Sequence, residues 1–311
     1  MSKRVVYIVM TLNMLVWGLN TIAIKILVQY FPPVTMQAMR IMLAGVELSL
    51  LVLFRREWRK LTTLEWKYVT GAVLFGVVGH HSFLAAGLAD TTATNGSLIL
   101  ALLPLSTALL SAVFLHDRLT LFRTLGIFSG LTGVAFVVLT GNEGASGVTS
   151  GDVLVFFAML AQAISFLFIK KATDTMDPKH LTAVMFLLGS TGILVTSFLF
   201  YPHPLDLSGA SPAAWILLIA SALIATGLGH MVYNFTIRRL GAGQTAIFIN
   251  MTPFFSLIGS AWFLGEKILP SHVVGFIMIV AGVILGSGAV EEKWRTRQEV
   301  TKSKEMPHAR P

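Results

Sequence analysis

PLSTALLSAVFLHDRLTLFRTLGIFSGLTGV, residues 104–134, returns in altered form as PFFSLIGSAWFLGEKILPSHVVGFIMIVAGV, residues 253–283. Both stretches are 31 residues long, and a constant offset of 149 superimposes them without a gap. Pro104 then matches Pro253, Ser111 and Ala112 match Ser260 and Ala261, and Phe114 and Leu115 match Phe263 and Leu264. Gly126 matches Gly275, and Gly133 and Val134 match Gly282 and Val283. The charged break is kept in kind, Asp117, Arg118 and Leu119 against Glu266, Lys267 and Ile268. An acid, a base and an aliphatic residue thus separate two apolar runs in both places, which a duplication explains.

Composition fixes the solvent of the duplicated unit. The chain is 55% hydrophobic and 12% charged, against roughly 25% charged in soluble domains. This is the composition of an integral membrane protein, and 311 residues hold about ten spans of ~20 residues with short loops and no large soluble domain. Cysteine is absent, so no disulfide framework or thiolate metal site is available. The fold class expected is all-α, ten transmembrane helices arranged as two five-helix repeats.

Charge-poor spans fall at 5–28, 34–53, 68–89, 94–115 and 121–141, then at 153–169, 181–200, 214–237, 244–264 and 273–290. The first repeat is drawn as 5–141 and the second as 153–290, followed by a basic tail, 291–311, expected to be cytoplasmic and disordered. The first span is read as a retained helix rather than a cleaved signal, because it exceeds an h-region in length and carries Asn13, Trp17 and Asn20. Cytoplasmic loops carry the excess of Lys and Arg. With the N-terminus inside, 20 of the 23 basic residues fall on inner segments, while 141–152 and 201–212 contain none. Both termini are therefore expected in the cytoplasm, at the plasma membrane, and the net charge of +8 reads as a topology signal rather than a nucleic-acid one. Five spans per half is an odd number, so the second repeat enters from the opposite side. Inverted repeats of this kind recur in transporters, where two near-equivalent halves expose a central site alternately.

LVWGLNTIAIK, residues 15–25, with its Trp-Gly pair, the later Asn and the closing Lys, resembles the start of an EamA-type domain of the drug/metabolite transporter superfamily. Arg40 in MRIMLAG and the Pro, Leu-x-acid-base, Gly, Gly pattern of both halves resemble the remainder. The resemblance spans about 5–290 and implies a ten-helix carrier of small metabolites, amino acids or related amphipathic compounds. It also implies a central cavity made largely by spans three, four, eight and nine. The halves diverge at offset 145: Trp17 faces Gln162, Asn20 faces Ser165 and Arg40 faces Met185, whereas Lys25 matches Lys170.

Polar residues inside spans need a partner or water. Asn13, Trp17 and Asn20, at i, i+4 and i+7, share one helical face. That face is expected inside the bundle, as interhelical packing or as cavity lining, and Gln162 with Ser165 forms a weaker version of it. For Arg40 two roles stay open, an anion clamp for a substrate carboxylate and a structural clamp on backbone carbonyls. No acidic residue is expected deep within a span, which leaves histidine as the titrating group near the midplane. His81 matches His230 at offset 149, while His80 matches Gly229. The histidines are either cavity residues, one of them carrying a coupling proton, or packing residues bonded to neighbouring helices. Asn234 and Asn250 complete the polar set. Pro104 and Pro253, each in mid-span, free a carbonyl four residues earlier and are expected to kink their helices.

No nucleotide-binding loop, HExxH or GxSxG occurs, so an enzyme is not expected, nor is a cofactor or a metal. The expected partners are a small-molecule substrate and the lipid bilayer. The alternatives are a channel or a non-transport sensory membrane protein.

Overall fold

The computed structural model describes residues 3–115, 120–140, 148–240, 248–249 and 251–286; the tail at 291–311 lies outside them. Among the described residues the chain is helical, with no strand. Eight helices among the described residues are long and apolar enough to cross a membrane. They are α1 (Lys3–Leu27), α2 (Pro33–Phe54), α3 (Thr63–Asp90), α4 (Ala93–Phe114), α5 (Leu121–Thr140), α6 (Ser150–Ala172), α7 (Pro178–Phe200) and α8, which includes Pro212–Tyr233. Two shorter apolar helices follow, α9 (Met251–Leu264) and α10 (Pro270–Gly286).

Local sequence sets the helix starts. Thr62 with Glu65 and Thr149 with Asp152 form capping boxes for α3 and α6, while Asp177 and Ser211 cap α7 and α8 just before a proline at the first helical position. Each cap satisfies an amide that a helix leaves open, and the proline has no amide to leave. Outward-facing side chains are large and apolar: Phe128 is 72% exposed, Phe200 75% and Trp262 82%. Such a belt would be an aggregation surface in water and is the lipid-facing surface in a bilayer.

The repeat is legible in how helices pack. Helices α2 and α7 run antiparallel, with Thr35 Oγ1 and Ser197 Oγ 2.6 Å apart and Ser190 Oγ donating to Met42 Sδ at 3.5 Å. A Cβ placed on Gly45 would lie 3.0 Å from the Leu187 amide nitrogen. At offset 145, Met42 corresponds to Leu187 and Gly45 to Ser190, so these are one contact and its exchanged copy. Helices α5 and α10 repeat the pattern. A Cβ on Gly133 would lie 2.9 Å from the Gly275 carbonyl oxygen, and one on Gly282 2.5 Å from that of Gly126. The four glycines exchange at offset 149, which explains their retention in both quoted stretches: only a hydrogen at Cα lets these backbones touch.

Contacts between unlike helices are exchanged too. Asn13 Nδ2 of α1 donates to the Gly229 carbonyl of α8 at 3.1 Å, and His80 Nδ1 of α3 lies 2.9 Å from the Ala158 carbonyl of α6. Asn13 corresponds to Ala158 at offset 145 and Gly229 to His80 at 149. Helix α3 contains a π-helical segment, Val73–Gly79, and α8 contains another, Ser221–Leu228. At offset 149 they coincide apart from Ser221. A π turn widens the helix and shifts the following side chains around its axis, and each segment ends directly before the histidine-bearing turn.

The loops at 55–62 and 173–177 share one face of the bundle, tied by the Arg59 to Glu65 ion pair at 2.5 Å and the Thr175 hydroxyl on Glu65 at 2.8 Å. The opposite face gathers the α3–α4, α7–α8 and α9–α10 connections and the start of α6. There Lys25 Nζ donates to the Leu88 carbonyl at the end of α3, and Glu266 accepts from the amides of Ala93 and Thr94 at 2.8 and 3.0 Å. The acid of the second charged break thus caps the N-terminus of α4, where carboxylates are stabilised.

Candidate functional site between α1, α2, α3 and α8

Arg40, 1% exposed, is the largest fully buried side chain and organises the junction of α1, α2 and α8. Nε donates to Ser221 Oγ at 2.9 Å, Nη1 donates to Gln37 Oε1, and Nη2 donates to Asn20 Oδ1 and Thr226 Oγ1, each at 3.2 Å. Every partner is a neutral oxygen, and two of them belong to the π segment of α8. Ser221 Oγ in turn donates to Asn20 Oδ1, so the amide read from α1 joins this network.

One turn nearer the middle of the bilayer, Trp17 Nε1 donates to the Ala225 carbonyl of the same π segment at 2.8 Å. Its ring lies 5.3 Å from that of His230 and 5.4 Å from that of Tyr233. Phe186 of α7 also meets the His230 ring edge-on at 5.4 Å. His230 Nδ1 lies 2.7 Å from the Thr226 carbonyl one turn back. On α3 the rings of His80 and His81 are 4.8 Å apart. Thus the paired histidines differ in bonding: His230 has a backbone partner, His81 Nδ1 is buried without one, and His80 makes the contact that Asn13 makes in the other half. Gln162 of α6 is half-buried, and Ser165 donates to the Ala72 carbonyl at 3.4 Å. The Asn234 side chain and all of Asn250 lie outside the described residues.

Helix α4 is interrupted at 101–102, between Ala93–Leu100 and Leu103–Leu115, directly before Pro104. Pro253 lies in the first described turn of α9. An apolar cavity of about 450 Å³ lies elsewhere, between α4, α5 and α6, and none of the polar residues picked from the sequence lines it.

Glu47 contradicts the expectation that no acid lies deep in a span. It occupies the fifteenth position of the 22-residue α2, and its Oε2 is buried without a hydrogen-bond partner. A single acid among LAGVELSLLVLF is averaged away by a hydropathy window. Gln37, Ser221, Thr226 and Tyr233 also escaped sequence reasoning, since hydroxyls and a lone amide in apolar helices carry no spacing signal.

The chain belongs to the EamA-like transporter family, which matches it twice, at residues 4–139 and 149–288. It is 28% identical over 281 residues to "Uncharacterized transporter YyaM" of Bacillus subtilis (strain 168), covering 88% of this chain and 91% of that one. An "Uncharacterized transporter" of Archaeoglobus fulgidus is 24% identical, covering 90% of this chain and 97% of its own. "WAT1-related protein At3g02690, chloroplastic" of Arabidopsis thaliana is 21% identical, with 86% of this chain and 66% of that one aligned. A solved structure described as "Crystal structure of protein" superimposes with a TM-score of 0.62 at 18% identity, over 91% of this chain and 96% of the other; it supports the fold alone. The protein is therefore a multi-pass membrane transporter of the drug/metabolite superfamily, with a small-molecule substrate and the bilayer as its partners.

Proposed function

We propose that the chain is a secondary-active carrier that exports small metabolites, amino acids or related amphipathic compounds, across the plasma membrane by alternating access. Its ten spans form two inverted five-helix repeats, 5–141 and 153–290. The observation that carries this reading is the exchanged contact: self-paired α2 with α7, and α5 with α10, are antiparallel. A two-fold axis relating antiparallel partners lies across the helices, in the membrane plane, and lets one half adopt the arrangement of the other. Trp17, Asn20, His81, His230, Asn234, Asn250 and Gln162 line or border the central cavity, supported by the partial exposure of Trp17, His81, Gln162 and His230 in the middle of the bundle. Arg40, sealed by neutral acceptors, is a structural clamp on the α8 π segment rather than an anion clamp. The substrate class is tested by comparing metabolites in medium from deletion and overexpression strains. An amphipathic amino compound that falls in one and rises in the other supports export, and unchanged medium counts against it.

Both termini are cytoplasmic in this reading, which predicts the labelling of single cysteines introduced into a chain that has none. Cysteine at Asp206, on the 201–211 loop, reacts with an impermeant maleimide in intact cells, whereas cysteine at Arg56 reacts only after lysis. The reverse pattern inverts the topology. Asp206 is a suitable marker because its surroundings are solvent: its carboxyl accepts from the Ser208 hydroxyl and amide, which hold it below the usual carboxylate range.

A further inference from the structure

The two-fold relation makes each half a control for the other, and at one place the halves use opposite chemistry. Val78 of α3 packs on Gly192 of α7, where an added Cβ would lie 2.6 Å from Val78 Cγ2. Val78 corresponds to Gly227 at offset 149, and Gly192 corresponds to Glu47 at 145. The exchanged contact is therefore Glu47 on Gly227, and there an added Cβ would meet the Glu47 carboxyl first. Packing at this seam needs only an apolar side chain over a glycine, as the first arrangement demonstrates. The carboxyl is an addition that packing does not require.

It is also an unprovided-for addition. The Glu47 side chain is half-buried, and its Oε2 is buried and receives no hydrogen bond. Among the described residues, the charged and titratable groups on neighbouring elements are engaged elsewhere or stand apart. Arg40, seven residues earlier on α2, is satisfied by neutral oxygens. From α7, Lys179 pairs with Glu57 at 2.6 Å, and His180 stacks near Trp58 at the end of the bundle. From α8, His230 and Tyr233 face Trp17. From α3, His80 bonds to Ala158 and His81 faces His80. No ion pair reaches Glu47 among the described residues. A charged carboxylate inside a membrane bundle without donors is unfavourable, and a bound proton removes the charge without needing room.

We propose that Glu47 is the proton-binding carboxyl that couples transport to a proton gradient. The seam it occupies joins α2 of one repeat to α8 of the other, and such seams are what alternating access rearranges. Held against Gly227 the carboxyl keeps its proton; when the seam opens to water, the proton leaves from the same oxygen and the carboxylate is hydrated. The proposal rests on the carrier reading above, but its first test needs no substrate.

Infrared difference spectra of the full-length protein in liposomes, between acidic and alkaline buffer, report carboxyl protonation directly. The wild type is expected to show the C=O stretch of a protonated, weakly hydrogen-bonded carboxyl. Glu47→Gln loses that band, Glu47→Asp keeps one at shifted frequency, and His81→Gln and His230→Gln leave it in place. A Glu47→Gln spectrum identical to wild type overturns the proposal. So does a signal that responds to sodium at constant pH. The second test imposes a pH difference across proteoliposomes and follows a mixture of radiolabelled L-amino acids. One pH unit drives up to about tenfold accumulation in a one-proton carrier. Accumulation is lost in Glu47→Gln and retained in Glu47→Asp; retention in Glu47→Gln overturns the proposal. Monodisperse purification and an unchanged melting temperature establish that Glu47→Gln is folded. If the wild type moves none of these compounds, the substrate class fails and the infrared result decides Glu47 alone.

Discussion

Replacing Arg40 with methionine destabilises the folded protein by on the order of 3 kcal/mol, read as a lower midpoint of thermal unfolding in detergent. The guanidinium gives its hydrogen bonds to Gln37, Asn20, Ser221 and Thr226, drawn from three helices. Methionine fills the space of the aliphatic stem, so the loss is one of bonding rather than of volume. Hydrogen bonds from a charged donor contribute about 1.5–3 kcal/mol each in net terms, and abandoned buried acceptors add to the cost. Ser221 still donates to Asn20, and the hydroxyls of Ser221 and Thr226 rotate to new partners, which keeps the total near a single strong bond rather than four. Arg40→Lys keeps the charge without the planar fork and falls between. If Arg40→Met unfolds like the wild type yet loses substrate affinity, Arg40 is an anion site and not a clamp.

The second large effect is at the glycine seam. Gly282→Ala costs about 2 kcal/mol or more, because the new methyl would lie 2.5 Å from the Gly126 carbonyl oxygen and 2.9 Å from the Gly130 amide nitrogen, and backbone on both sides must part. Gly133→Ala costs a similar amount through its exchanged contact, with Gly275 oxygen 2.9 Å from the added carbon. The two losses do not sum, since either substitution already separates α5 from α10. Gly209→Ala is the control: its Cβ would meet only the Tyr30 carbonyl oxygen, at 3.6 Å, an ordinary contact. Unfolding in detergent measures the three single variants and the double variant Gly133→Ala with Gly282→Ala. Equal stability of Gly282→Ala and Gly209→Ala would remove the close backbone contact from the description of this seam.

Much of this architecture was legible because a duplication writes the same constraint twice. Gly126, Gly133, Gly275 and Gly282 stood out in the sequence before their contacts were known, and the charged break flagged Glu266. What each does was not legible. Glu266 caps a helix 172 residues away, and no local pattern reports a partner at that separation. The π segments left no trace either, since widening a helix by one residue per turn changes no residue type. Arg40 was picked out by its charge, but its acceptors are common small polar residues. Glu47 fell on the other side of the same limit: hydropathy averages over a window, whereas the cost of a buried carboxyl oxygen without a partner is local. The repeat offsets held the information that isolates it, a carboxyl where the other half has glycine, once the exchanged contact gave the position a meaning.

Counterflow in proteoliposomes tests carrier against channel most directly. With the compound identified from the medium comparison loaded inside, external labelled compound enters faster than into empty vesicles, and the initial rate saturates with concentration. A two-fold-related bundle that exposes one site alternately requires both behaviours, because a loaded carrier returns faster than an empty one. Uptake that rises linearly with concentration and ignores the internal load would contradict alternating access and leave the protein a channel.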